Sequence, residues 1–255
     1  RALASLADDG ELDGDSAVAA RLRDWVAWAA QKPFALVLGE NGVGKQRVAA
    51  AIHDKSSRAS GPFVVVHCAA MSESWLEADV FGHEDASGDR RPGKLEAAHG
   101  GTLYFDELAA LPPRCQKRLM HAIEKRGIKR KDGSIVPADV RVIAGSCHDV
   151  ASMVNVQAVR QDLYERLATA TVVVPPLRER RADIVTIAEK MLYRLAADAS
   201  QRRTGFAADA AARLAACDWP GNVRELRNVV ERLLLQPGED PVSATDVDRA
   251  MTRRH

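Results

Sequence analysis

The stretch Gly39–Gln46, GENGVGKQ, constrains this chain more than any other. It follows a short apolar run, PFALVLG, and precedes KQRVAAAIHDKSSR, whose apolar positions recur at helical spacing. A short apolar run closing on Gly reads as a buried strand. Strand, glycine-rich turn and Lys at a helix start together match G-x-x-x-x-G-K. That chemistry needs small residues so that backbone N–H groups can wrap phosphates, and a Lys to reach the β- and γ-phosphates. Gly39, Gly42, Gly44 and Lys45 supply both, with Glu40, Asn41 and Val43 completing the loop. The plain alternative is a glycine-rich turn that merely precedes a Lys; the strand before and the helix after favour phosphate binding. The spacing is not that of a dinucleotide G-x-G-x-x-G turn. One letter departs from the pattern. Position 46 is ordinarily Ser or Thr, whose hydroxyl binds Mg²⁺, and here it is Gln46. An amide oxygen is a weaker substitute, so the metal must be held mainly from elsewhere.

GGTLYFDE, ending at Glu107, offers that other place. An apolar strand closing on two acids is the second signature of phosphate-loop ATPases. Asp106 is expected to hold Mg²⁺ and Glu107 to act as general base on an attacking water. Alone, the pair would read equally well as two solvated acids at an ordinary strand end.

Around these motifs, strands and helices alternate. PFVVVHCAA, TLYFDE, VRVIAGS and ATVVVPP read as further strands, ESWLEADVFG and PRCQKRLMHAIEKR as helices, and Asp132-Gly133 as a hairpin turn. This is the pattern of an α/β parallel sheet flanked by helices. From Arg178 onward only helical segments follow, so the expected division is an α/β subdomain over 1–177 and an α-helical subdomain over 178–255. Net charge is +1, which gives no global field toward nucleic acid or membrane. The basic run at the hairpin, EKRGIKRKDG, reads as a solvated surface, and RERR at 178–181 as a structural or nucleotide-proximal hinge. The four cysteines, Cys68, Cys115, Cys147 and Cys217, are dispersed without a CxxC pair. That spacing argues against a zinc site or a disulfide framework and fits a reducing cytoplasm. No apolar run approaches a membrane span, and a start at Arg1 reads as a piece of a longer protein.

These residues and their flanks resemble the AAA+ ATPase domain of bacterial enhancer-binding proteins, the activators of sigma-54 RNA polymerase. The resemblance is carried by GENGVGKQRVAAAIH, PFVVVHCAAM, LEADVFGHE, GGTLYFDEL, VRQDLYERL, PPLRERRADI and WPGNVRELRNVVER. It implies a phosphate-loop AAA+ sheet with a helical lid, ATP and Mg²⁺ as cofactors, and a ring or lower homo-oligomer in the cytoplasm. It implies that Arg160 and Arg166 reach the ATP of a neighbouring subunit, where a planar cation neutralises transition-state charge. It implies that Arg224 joins the lid to the nucleotide. Without the resemblance, these arginines would read as surface or helix-terminal ion pairs. RNA polymerase or another transcription component is the implied partner, with DNA bound through a domain not present in this chain.

Three positions depart from the family pattern. After FGHE the family carries GAFTGA, a mobile tip that contacts sigma-54; here DASGD leads straight to RRPGKLE. The shortened loop implies that this domain does not engage sigma-54 in the usual way. The family's Asn that restrains the catalytic Glu is His67, which can still bond a carboxylate. The family's first-sensor Asn is Cys147, a poor substitute for an amide that reads more simply as a small buried side chain. ATP binding with slow or differently gated hydrolysis is the resulting expectation. A remodeller of another client and a non-hydrolysing, signalling-nucleotide-responsive assembly module remain the alternatives.

Overall fold

A computed structural model describes residues 12, 14–84, 90–130, 133–198, 205–235 and 240–252. Loop residues 85–89, where the GAFTGA departure falls, lie outside the described residues, as does Asp132 of the hairpin turn. The chain divides into two compact units. Asp24–Gly39 and Lys45–Val174 belong to the first; Leu12–Arg23, Glu40–Gly44 and everything from Pro175 belong to the second.

The first unit is built on a five-stranded sheet. Its strands are β1 (Phe34–Leu38), β2 (Phe63–His67), β5 (Thr102–Asp106), β8 (Arg141–Ser146) and β9 (Thr171–Val173), in the order β2-β5-β8-β1-β9. All pairings in this sheet are parallel. Helices α1 (Ala17–Ala30), α2 (Lys45–Asp54), α3 (Glu73–Phe81), α4 (Lys94–Ala97), α5 (Pro113–Lys125), α6 (Val150–Asn155) and α7 (Gln161–Leu167) make the connections, α1 beginning in the second unit's segment. The short pair β3 (His83–Glu84) and β4 (Arg90–Arg91) is antiparallel, as is the hairpin β6 (Gly127–Lys129) and β7 (Ile135–Pro137). Parallel strands covered on both faces need apolar side chains at every position. In β8 all six residues are buried, whereas edge strands β2 and β9 keep exposed or half-buried positions. The core gathers Leu36, Val66, Leu103, Phe105, Val142 and Leu163.

One buried charge ties the helices to the sheet. Arg141 opens β8, and its guanidinium donates to the carbonyls of Ala29 (2.6 Å), Ala30 (3.2 Å) and Ile52 (3.3 Å). Carbonyls at helix C-terminal ends lack intrahelical partners, so a cation there satisfies three acceptors near the ends of α1 and α2. Burial pushes this guanidinium down to about 10.

The second unit packs α8 (Arg181–Asp198), α9 (Ala208–Ala216), α10 (Asn222–Leu235) and α11 (Ala244–Thr252) around Trp219, Ile184, Leu192, Leu226 and Val230. Trp219 Nε1 donates to the Leu214 carbonyl at 2.9 Å, so its polar edge is satisfied inside the core. No helix among the described residues is long and apolar enough to cross a membrane.

The phosphate-loop tip is held within this unit by Asn222. That residue is fully buried and sits at a left-handed φ of 52°. Its Oδ1 accepts the Leu177 N–H at 2.9 Å, and its Nδ2 reaches the Asn41 carbonyl and Glu40 Oε2, both at 3.1 Å. Replacing Asn222 with Ala strands a buried donor and acceptor, a loss of about 1–3 kcal/mol. Hydrogen exchange of the α10 amides is expected to report that loss. Asn222→Gly relieves the positive φ but deletes the same bonds and is expected to stay destabilised; full recovery would mean that backbone geometry alone calls for Asn.

Candidate nucleotide site

Parallel α/β sheets place ligands at the carboxyl ends of their strands. The sequence motifs gather at that edge. Lys45 follows β1, His67 ends β2, Asp106 ends β5, and Ser146 ends β8 with Cys147 and His148 just beyond it.

The loop owes its shape to glycines. Gly42 and Gly44 adopt φ of 77° and 99°, accessible to glycine at little cost. At Gly44 a Cβ would meet open space, so backbone conformation alone calls for glycine there. At Gly42 a Cβ would collide with the Gly221 carbonyl, so the tip's approach to the start of α10 also requires it. The Arg224 N–H donates to the Gly42 carbonyl at 3.2 Å, and Arg180 reaches the Val43 carbonyl at 3.3 Å. Arg178 forms a bidentate pair with Glu40, one arm at 2.8 Å. That guanidinium, with the Asn222 amide, holds the Glu40 carboxyl down to about 2. Lys45, mostly buried at the first turn of α2, donates to the Gly39 carbonyl at 2.9 Å. Gln46 follows it in the same turn.

Glu107 occupies left-handed backbone, φ 64° and ψ 78°, which costs a non-glycine residue about 1–3 kcal/mol. The turn aims its carboxylate at the end of β8. Ser146 Oγ donates to Oε1 at 3.1 Å and the Cys147 N–H to Oε2 at 3.1 Å, while His148 Nδ1 lies 3.4 Å from Oε1. Burial pushes this carboxyl up, but bonds from the Cys147 thiol and amide, His148 and Ser146 outweigh it and hold it below the usual range. Burial and the Glu107 carboxylate push the Cys147 thiol up in turn.

His67 meets a different carboxylate from the one the resemblance implies. The parallel register sets His67 opposite Asp106, and its Nδ1 lies 3.5 Å from Asp106 Oδ2. Glu107 turns away toward β8. Position 147 is half-buried, and its main-chain N–H orients Glu107, a bond that does not depend on an Asn side chain.

Other participants carry no sequence signal of their own. Tyr104, two residues before Asp106 on the same strand face, donates to Asp106 Oδ1 at 3.3 Å. Gly145 leaves room for that hydroxyl, into which any Cβ at 145 would run. Ser146 and His148 grip Glu107 from another strand. Asn222 lies in the GNVRE stretch, two residues before Arg224. Arg160, capping α7, and Arg166 within it lie apart from this edge: Arg160 pairs with Asp162 at 2.8 Å and Arg166 with Glu124 at 3.0 Å.

Comparison with known proteins decides what this edge belongs to. The family described as "Sigma-54 interaction domain" matches residues 12–173, and "AAA+ ATPase lid domain" matches 178–255. The chain belongs to the sigma-54 interaction domain family. It is 42% identical over 240 residues to the C4-dicarboxylate transport transcriptional regulatory protein DctD of Pseudomonas aeruginosa, covering 90% of this chain and 51% of that protein. It is 43% identical over 210 residues to the transcriptional regulatory protein ZraR of Escherichia coli, covering 80% and 48%. The chain thus spans about half the length of these curated relatives. Crystal structures of NtrX from Brucella abortus, 35% identical, superpose with TM-score 0.83 over 99% of this chain and 58% of NtrX, and with TM-score 0.81 over 95% and 57% for NtrX in complex with ATP. The fold is that of a phosphate-loop AAA+ domain with its lid, of the sigma-54 interaction type.

Glu40 offers a direct probe of this domain's loop tip. Its carboxylate is expected to titrate by NMR near pH 2 and to return toward the ordinary Glu range in Arg178→Ala. A lowered carboxyl stabilises the fold above its unfolded value and loses that contribution as pH falls. The link from loop tip to Arg178 is therefore expected to weaken between about pH 4.5 and pH 2. An unshifted Glu40 would show that the ion pair does not persist in solution.

Proposed function

We propose that this domain binds ATP·Mg²⁺ at the carboxyl edge of its sheet and hydrolyses it between subunits of a ring or smaller homo-oligomer. The observation that carries this reading is Glu107. A carboxylate held in costly backbone, ionised and aimed by three groups of a neighbouring strand, is poorly explained as a solvated strand end. The loop from Gly39 to Gln46 supplies backbone N–H groups for phosphates, and Lys45 exchanges the Gly39 carbonyl for a phosphate oxygen. Asp106 would hold Mg²⁺, and its partly exposed carboxylate suits a cation that keeps several waters. Bound Mg²⁺ supplies charge neutralisation at the phosphates. Glu107 accepts a proton from the attacking water once its bonds to Ser146 and Cys147 loosen. Arg224, on α10 beside the loop tip, transmits nucleotide state to the lid.

Arg160 and Arg166 act in trans under this reading. Their present partners, Asp162 and Glu124, are surface acids, and an exposed pair contributes only about 0–1 kcal/mol. Both guanidiniums can therefore leave for a neighbouring subunit's nucleotide at little cost. The sequence between Glu84 and Arg91 supports the further reading that the domain does not remodel sigma-54, because DASGDR offers neither the aromatic nor the Thr of GAFTGA. The output then passes to another transcription component, with DNA bound by a part of the protein outside this chain.

Two measurements test this. ATP turnover per subunit is expected to rise with protein concentration and to fall at least a hundredfold, on the order expected for a lost general base, in Glu107→Gln. ATP binding without turnover at any concentration would leave a nucleotide-holding assembly switch. A chimera carrying GAFTGA in place of residues 85–89 is expected to gain sigma-54 binding that the unaltered chain lacks; binding by the unaltered chain would overturn the proposed loss.

A further inference from the structure

Glu107, Cys147 and His148 come together with ligand atoms that all lie within 4.8 Å of one another. Cys147 Sγ is 3.3 Å from His148 Nδ1, and that nitrogen is 3.4 Å from Glu107 Oε1. A tetrahedral ion with ordinary bonds to sulfur, imidazole and carboxylate sets its ligands about 3.5 Å apart for S and N and about 3.4 Å for N and O. The side chains thus already stand near the edge lengths of such a polyhedron. Cys147 and His148 are neighbours in sequence, but Glu107 arrives from another strand, so ligand spacing along the chain could not reveal the group.

The group is also organised from behind. The buried Ser146 hydroxyl donates to Glu107 Oε1 at 3.1 Å, accepts the His148 N–H at 3.0 Å and lies 3.1 Å from the His148 carbonyl. The Cys147 N–H fixes Glu107 Oε2. Outer hydrogen bonds of this kind orient metal ligands and raise affinity. The His148 side chain is exposed, which provides an entry path and leaves a fourth position for water.

We propose that Glu107, Cys147 and His148 bind a divalent transition metal ion of the zinc class, and that its binding switches off hydrolysis by withholding Glu107 from water. Thiolate and imidazole select Zn²⁺ or Co²⁺ over Mg²⁺, which prefers oxygen ligands, so this site and Asp106 discriminate between two metals at one sheet edge. Binding displaces the thiol proton to solvent and converts the Cys147–Glu107 contact into shared coordination. The inhibitory half of the proposal rests on Glu107 being the general base; the metal site itself does not.

The two halves are separated by two readouts on the 255-residue chain. Stoichiometric Co²⁺ is expected to give a thiolate-to-cobalt charge-transfer band and tetrahedral ligand-field bands. Both should be lost in Cys147→Ser and in His148→Ala and kept in Cys217→Ser, with thermal melts confirming that each variant is folded. No band, or one that persists in the Cys147 or His148 variant, overturns the site. One equivalent of Zn²⁺ above chelator is expected to lower ATP turnover at least tenfold. In Cys147→Ser the ratio of rates with and without Zn²⁺ should approach one, whatever that variant's own rate. Wild-type turnover that ignores saturating Zn²⁺ overturns the inhibition. A chain with no turnover even without Zn²⁺ overturns the Glu107 reading and its inhibition, while the cobalt spectrum still decides the metal site.

Discussion

The contact between the Glu107 carboxylate and the end of β8 is the one that organises the carboxyl edge of this sheet. It exists because β5 and β8 are parallel neighbours whose carboxyl ends finish side by side. It also needs the left-handed turn at Glu107, which aims the carboxylate at the end of β8. The donors that keep the carboxylate ionised also occupy it. Under the proposed function, the resting geometry is that of a base formed but engaged, and hydrolysis would require those bonds to rearrange.

That arrangement changes the meaning of the two substitutions at the site. His67 lies beside Asp106, the residue proposed to hold Mg²⁺. At position 147 the main-chain N–H supplies the bond to Glu107, and the thiol adds a softer donor beside it. The Glu107 carboxylate is held from the β8 terminus. A Cys–His pair placed against a carboxylate has metal chemistry that an Asn at the same position would not offer.

Within the helical unit, the loop tip is gathered by groups from two short segments, Arg178–Arg180 and Asn222–Arg224. Asn222 binds Glu40 and Asn41, Arg178 binds Glu40, and Arg180 and the Arg224 N–H take loop carbonyls. RERR, legible in sequence only as a basic run, is thereby divided: Arg178 and Arg180 hold the phosphate loop, while Arg181 pairs with Asp218. This explains how five residues of a loop between a strand and its helix, Glu40–Gly44, group with a distant helical segment.

Much of this protein is readable from local pattern. The glycine-lysine loop, the apolar strands, the acid pair after TLYF and the switch to all-helical sequence after Pro176 each follow from short-range rules. Strand length, helical period and backbone freedom are properties of a few consecutive residues. Strand order was not readable in the same way. FVVVH, TLYFD and RVIAGS are all β-prone, yet only packing decides which is an edge and which is central. Nor were the Tyr104–Gly145 fit, the Asn222 clamp or the convergence of Glu107 with Ser146, Cys147 and His148 visible, since each joins residues whose neighbours in sequence say nothing of the partner. The sequence alone determined which residues could do the chemistry. The tertiary structure decided which of them meet, because register and a single left-handed turn set where each side chain ends.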